Sequence, residues 1–268
     1  MQDRNFDDLV HKFKTHIYGS PKGAIRLAVL QRDIDIALKG MSSNIPLNIL
    51  DAGAGAGLFS SRFAQKGHRM TLCDISAAML DLAREEYRKT APNADVRFIH
   101  SPIQQLSQSV NDPYDIVFVH AVLEWLAQPQ IALQSLLERV KPGGLISVLF
   151  YNRHGLVMQN LILGNLARIR KGELAGWGNS LTPINPLDTQ EVIGWFNNEY
   201  FEQLSFSGVR CFYDFMPPWV REKKSLEELI EVEMSLNQID AYRSTARYQH
   251  VVYRRNKLRN EDSITCGF

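Results

Sequence analysis

The chain has 268 residues, of which 45% are hydrophobic and 22% charged, and its formal net charge is +1. That balance excludes a disordered or fibrous chain and leaves a globular protein whose core needs no staples. No apolar run approaches the roughly 18 residues of a membrane helix. The polar, acidic residues 1–8 lack the features of a secretory signal, so a cytoplasmic protein without a membrane segment is expected. Cys73, Cys211 and Cys266 stand far apart, without a CxxC pair or a Cys/His cluster, which predicts neither a structural disulfide nor a metal site.

Two helices are predicted over residues 6–40, joined by the Gly- and Pro-punctuated turn at 17–23. The apolar run 47–51 reads as a buried strand ending in an acid. A glycine-rich turn at 52–57 and a helix over 58–65 follow it. Strand two spans 70–74, and Ser76 caps a helix running to residue 88. Strands three and four are read at 96–99 and 114–119. A helix covers 130–140, a turn 141–144, and strand five 145–151. Residues 154–186 carry no strand signal and hold an apolar helical stretch at 156–169, an insertion or lid. Helices at 189–198 and 226–236 and strands at 209–215 and 250–255 complete the chain. Alternating strands and helices imply right-handed parallel βαβ units. The expected fold is α/β: Rossmann-like and doubly wound, a seven-stranded, mostly parallel sheet with N-terminal helices and a helical insertion after strand five.

The run Asp51-Ala52-Gly53-Ala54-Gly55-Ala56-Gly57 follows a strand and opens a helix. Glycine is required where the backbone turns sharply and a ligand must touch it, and this fold binds ligands at the carboxyl ends of its strands. An acid ahead of the glycines repels a pyrophosphate but suits a ligand carrying an amine. The run resembles motif I of the class I S-adenosylmethionine-dependent methyltransferases. Asp74, closing strand two, matches the acid that holds the cofactor's ribose hydroxyls in that family. Gln104, after strand three, falls where the adenine amine is held. The 114–120 and 140–144 segments match two further motifs of the family.

The flanks sharpen the likeness. The opening residues 1–8, the turn Ile17-Tyr18-Gly19, the 118–125 stretch and Leu149 to Leu156 resemble the bacterial tRNA 5-carboxymethoxyuridine methyltransferases, from residue 1 to about 255. The resemblance implies esterification of a wobble-uridine carboxylate, with S-adenosylmethionine as cofactor, the tRNA anticodon loop as partner and no metal. It implies cofactor contacts at Arg26, Gly53, Ala54, Asp74, Ile103, Gln104 and His120. It also divides the single domain of 1–268 into a helical cap (1–45), a cofactor-binding half (46–153), the insertion or lid (154–186) and a substrate-side half (187–258).

A carboxylate acceptor is ionised at neutral pH, so transfer is a direct in-line displacement that needs no general base and no certain catalytic residue. Donors to position that carboxylate are sought among Tyr151, Asn152, Arg153, His154, Arg210 and Tyr248, with Tyr151 and Arg210 favoured. Trp125 or Tyr151 offers a ring for base stacking. The basic run Arg243, Arg247, Arg254, Arg255, Lys257 and Arg259, and the shorter Arg168, Arg170 and Lys171, suit a phosphate backbone. The competing readings are a methyltransferase for a small molecule, an NAD-dependent oxidoreductase, and a non-enzymatic module that binds S-adenosylmethionine or tRNA.

Overall fold

The computed structural model describes residues 3–7, 20–41, 45–108, 113–176 and 182–257. Most of the first predicted helix and the closing run 259–268 lie outside them. Among the described residues the chain begins its regular structure with α1 (Pro21–Leu38). Ser20 caps it by accepting from the Gly23 N–H, and Pro21 occupies a position whose missing N–H has no helical partner to lose.

The strands are β1 (Asn48–Ala52), β2 (Arg69–Asp74), β3 (Val96–His100), β4 (Tyr114–His120), β5 (Val140–Tyr151), β6 (Phe201–Val209) and β7 (Tyr248–Arg255). They form one sheet in the order β3-β2-β1-β4-β5-β7-β6. Strands β1 to β5 pair in parallel, and β7 runs antiparallel to both β5 and β6. The order reverses between β1 and β4, which opens a crevice at their carboxyl ends.

Side-chain alternation along each strand sorts the core into two layers. Ile49 and Leu72 pack with α1, α2 (Ser61–Gln65) and α3 (Ala77–Thr90) on one face. Leu50 and Cys73 pack with α4 (Pro129–Leu137) on the other. Cys73 is therefore a small core residue. Full burial of each such aliphatic side chain contributes about 1.5–3 kcal/mol.

After β5 come α5 (Arg153–Ile162), α6 (Leu166–Arg170) and α7 (Thr189–Gly194), then α8 (Pro218–Arg221), α9 (Leu226–Leu236) and α10 (Asp240–Arg243) around the last two strands. The helical segment after β5 is present but divided: Gly164, at φ 73°, separates α5 from α6 where one continuous helix was expected. The expected strand at 209–215 is displaced. The strand is β6, ending at Val209, and Tyr213–Phe215 is a 3₁₀ turn. The predicted turn at 141–144 belongs to β5, which starts at Val140 and shifts register against β4 near Ile116. No helix among the described residues is long and apolar enough to cross a membrane.

Candidate functional site

The carboxyl ends of β1, β2, β4 and β5 frame a cavity of about 690 Å³, a size usual for small-molecule sites. It has two chemically distinct ends.

One end is built on the glycine loop. The Gly53 and Ala54 N–H groups both donate to the Cys73 carbonyl, at 2.8 and 3.0 Å, which ties the loop to the end of β2. Gly53 has φ 79°, and a Cβ there would lie 2.3 Å from the Val122 side chain, so only glycine lets the chain pass. Asp74 accepts from the Gly55 N–H through Oδ2 and from the Ser76 N–H through Oδ1, both at 2.8 Å. Burial raises its pKa, and these two donors oppose the rise. Each oxygen keeps a further lone pair, so Asp74 remains an acceptor of hydroxyl donors. Asp51, under the loop, is pushed up to about 7 by burial, against its bond with Ser60 and with a smaller push from Asp74.

Ile103, Gln104 and His120 line the same end. A short N-terminal arm crosses beside it. The Gln104 amide donates to Asp3 (2.9 Å), Ser76 Oγ donates to Asp7 (2.5 Å), and Phe6 meets Trp125 edge to face. Arg26, on α1, also faces the cavity, and its Nε has no hydrogen-bond partner among the described residues. All seven residues read from the sequence as cofactor contacts thus line this one cavity.

The other end is cationic. Lys22, Arg26, Arg210 and Arg247 converge there with Tyr151, Tyr213 and Tyr248, and among the described residues Asp214 is the acid at that end of the lining. Asp214 lies 3.0 Å from Arg210, 3.4 Å from Arg247 and 3.6 Å from Lys22. Burial alone would raise its pKa; the three cations outweigh burial and hold it below the usual carboxylate range. Arg247 donates to the Tyr151 hydroxyl (2.5 Å), and Arg26 and Arg210 both stand over the Tyr248 ring, at 4.5 and 5.3 Å. Burial lowers the pKa of Arg210, opposed by Asp214. Arg210 also has φ 63°, and Ala121, beside His120, has φ 58°. Left-handed non-glycine residues are uncommon and gather at functional sites.

Of the six acceptor-side candidates, Tyr151, Arg210 and Tyr248 line the cavity. Asn152 instead donates to the Ser244 and Ala246 carbonyls, His154 pairs with Asp188, and Arg153 is exposed. Lys22, Tyr213, Asp214 and Arg247 were not singled out. Arg247 belongs in sequence to the basic run 243–259, and that run is split. Arg247 enters the cavity, whereas Arg254 and Arg255, at the opposite end of β7, bond the carbonyls of Ala37, Glu138 and Val140. Arg259 lies outside the described residues. Among the described residues no group of three or more His, Cys, Asp or Glu side chains is placed to hold a metal ion.

Residues 49–144 match the family model described as a methyltransferase domain. The chain is 36% identical over 261 residues to the tRNA 5-carboxymethoxyuridine methyltransferase of Escherichia coli (strain K12), covering 97% of this chain and all of that protein. It is 35% identical over 120 residues to the malonyl-[acyl-carrier protein] O-methyltransferase of Serratia marcescens, 44% of each chain. In fold it is similar to the magnesium protoporphyrin IX methyltransferase of Synechocystis PCC 6803 solved with S-adenosylhomocysteine, at a TM-score of 0.59 and 15% identity over 94% of this chain and 96% of the other.

Proposed function

Because this chain belongs to the family of the tRNA 5-carboxymethoxyuridine methyltransferases, we propose that it methylates the carboxylate of 5-carboxymethoxyuridine at the wobble position of tRNA, giving the methyl ester. The observation that carries this reading is the charge of the acceptor end: Lys22, Arg210 and Arg247 stand against Asp214, with Tyr151, Tyr213 and Tyr248 among them. Such a site suits an anionic acceptor attached to an aromatic base. An acceptor amine or an uncharged phenol gives those cations no counter-charge.

The cofactor end fits S-adenosylmethionine on its own geometry. The loop passes where a Cβ at Gly53 would strike Val122, and the Asp74 carboxylate has lone pairs left for a vicinal diol. Gly53, Ala54, Asp74, Ile103, Gln104 and His120 would hold the cofactor. Arg26, whose Nε has no hydrogen-bond partner among the described residues, would meet its carboxylate. When bound, S-adenosylmethionine supplies a methyl group on a sulfonium, a leaving group that needs no further activation.

The chain's own work is placement and exclusion of water. Arg210 and Arg247 hold one carboxylate oxygen and leave the other to attack along the line of the breaking bond. The carboxylate is ionised at neutral pH, its ordinary pKa being about 4, so no proton has to be removed. Tyr151, fixed by Arg247, and Tyr248, beneath two guanidinium groups, offer faces for the base. Gln159, on α5, lines the cavity, which supports reading that helix as part of the acceptor site.

The test is nucleoside mass spectrometry of tRNA from a strain lacking the gene, before and after treatment with purified protein and S-adenosylmethionine. Ester absent from the strain and restored in the tube is the expected result. Ester that persists in the strain, with no gain on treatment, would remove tRNA as the acceptor.

A further inference from the structure

Behind His120 a line of polar groups runs through the sheet. His120 Nε2 lies 2.8 Å from Ser147 Oγ on β5, and Ser147 Oγ lies 2.8 Å from His250 Nε2 on β7. His250 Nδ1 lies 2.7 Å from Asp33 Oδ2 on α1, and Asp33 Oδ1 accepts from Arg32 at 2.7 and 3.0 Å. Ser147, His250 and Asp33 have no exposed surface. Arg32 is itself fixed by Ser207 and Asn237. Three buried polar groups in series, Ser147, His250 and Asp33, drawn from three elements, are costly to assemble unless each is satisfied.

Counting hydrogens gives the line a direction. The Asp33 carboxylate carries none, so His250 must bear its hydrogen on Nδ1. Arg32 already balances Asp33, and in its neutral form His250 leaves Nε2 bare. Ser147 has one hydrogen and gives it to that nitrogen. Its oxygen then accepts from the Nε2–H of His120. Burial above all disfavours a charged His120, which therefore has only this one hydrogen. Its Nδ1 is left as a lone pair, without a partner among the described residues, on a ring that lines the cavity.

We propose that Asp33, His250 and Ser147 are positioning residues that hold His120 as the Nε2–H tautomer, so that its Nδ1 accepts a hydrogen bond from the ammonium group of the bound cofactor. This deepens the S-adenosylmethionine reading and rests on it. The class of ligand group follows from the tautomer: a bare imidazole nitrogen takes an N–H or O–H donor and repels a carboxylate.

The Asp33→Asn variant tests the direction. Its amide oxygen stays with the Arg32 guanidinium, and its NH₂ turns toward His250 Nδ1. This reverses every bond in the line and makes His120 the Nδ1–H tautomer. Two-bond ¹H–¹⁵N correlation spectra of the ligand-free protein, with His120 assigned from a His120→Gln variant, read the tautomer directly. The expected results are Nε2–H in the wild type, Nδ1–H in Asp33→Asn, and about ten-fold or more weaker binding of S-adenosylhomocysteine in calorimetry, the scale of one hydrogen bond to a charged group. Ser147→Ala, a small change in a strand, cuts the line. It leaves His120 a mixture of tautomers, and adding Asp33→Asn to it should produce no further loss of binding. An Nδ1–H wild type would overturn the proposal, and so would a folded Asp33→Asn protein with unchanged tautomer and affinity. If Asp33→Asn does not fold, the wild-type spectrum and Ser147→Ala decide. A wild type that fails to bind S-adenosylhomocysteine sinks the cofactor reading, while its spectrum still judges the relay.

Discussion

Replacing Arg210 by methionine removes one cation from the acceptor end and little else. Methionine fills similar space and adopts the left-handed backbone at this position no better and no worse than arginine. Asp214 is not stranded, because Arg247 remains at 3.4 Å and Lys22 at 3.6 Å. Loss of the repulsion between Arg210 and its neighbours Arg26 and Arg247 offsets the lost ion pair, so stability should change by no more than about 1 kcal/mol. The acceptor carboxylate loses a hydrogen bond to a charged group, worth about 1.5–3 kcal/mol. Each 1.4 kcal/mol is ten-fold, so kcat/KM should fall about 10- to 150-fold. The assay is methyl transfer to an anticodon stem-loop carrying 5-carboxymethoxyuridine, paired with calorimetry of S-adenosylhomocysteine binding. The cofactor product should lose less affinity than kcat/KM loses, since Arg210 meets Arg26 only across the shared Tyr248 ring. An unchanged kcat/KM in a folded variant would refute the acceptor assignment. Equal losses in both measurements would show that Arg210 serves the cofactor instead.

The remaining site predictions concern the glycine loop and its acids. Asp74→Ala should cost about 1.5–3 kcal/mol of S-adenosylhomocysteine affinity in calorimetry, and an unchanged dissociation constant would mean that the ribose lies elsewhere. Gly53→Ala forces a Cβ to 2.3 Å from Val122 at φ 79°; thermal melts should show a loss of about 1–3 kcal/mol along with loss of binding, and a fully stable variant would contradict the loop's tightness. Asp51 titrates near 7 when folded against 3.8 as its ordinary value, so the folded protein keeps a proton that the unfolded chain releases. The stability this confers is complete below the ordinary value and is lost as pH rises through about 7, on the order of 4 kcal/mol in all. Melting of ligand-free Asp51→Asn should therefore change less between pH 5 and 8 than that of wild type, and parallel curves would count against the buried acid.

What the sequence revealed followed burial. Strands β1, β2 and β4 are short apolar runs because helices cover both faces of the sheet there, and such runs announce themselves. Strand β6, at one edge of the sheet, lies earlier in the chain than expected because its Glu202, Gln203, Ser205 and Ser207 dilute the apolar pattern. The glycine-loop end of the cavity was legible because one contiguous loop and the acid closing β2 build it. The cationic end was not: Lys22 comes from α1, Arg210 and Asp214 from the turn after β6, and Arg247 from the residue before β7. Nothing local in the sequence ties these together. Arg247, 7% exposed and bonded to Tyr151, looks like any other arginine of a basic surface run until the fold turns it inward.

Asp214 raises a final question, because an acid among cations weakens the hold on an anionic acceptor. Arg210, Arg247 and Lys22 all spend part of their charge on it. For a displacement in which the carboxylate itself attacks, that loss is useful. Charge leaves the carboxylate as the new bond forms, so cations that grip the ground state tightly must give up more of that grip in the transition state. Asp214 relieves this by sharing the guanidinium groups. Removing its charge should strengthen ground-state binding more than transition-state binding. Asp214→Asn is thus expected to lower KM for the carboxylate RNA and to lower kcat with it, leaving kcat/KM nearly unchanged. Steady-state kinetics on the modified stem-loop separates the two constants. A rise in KM would mean that Asp214 only orients the arginines, and an unchanged kcat would mean that the cations do not restrain the attacking oxygen.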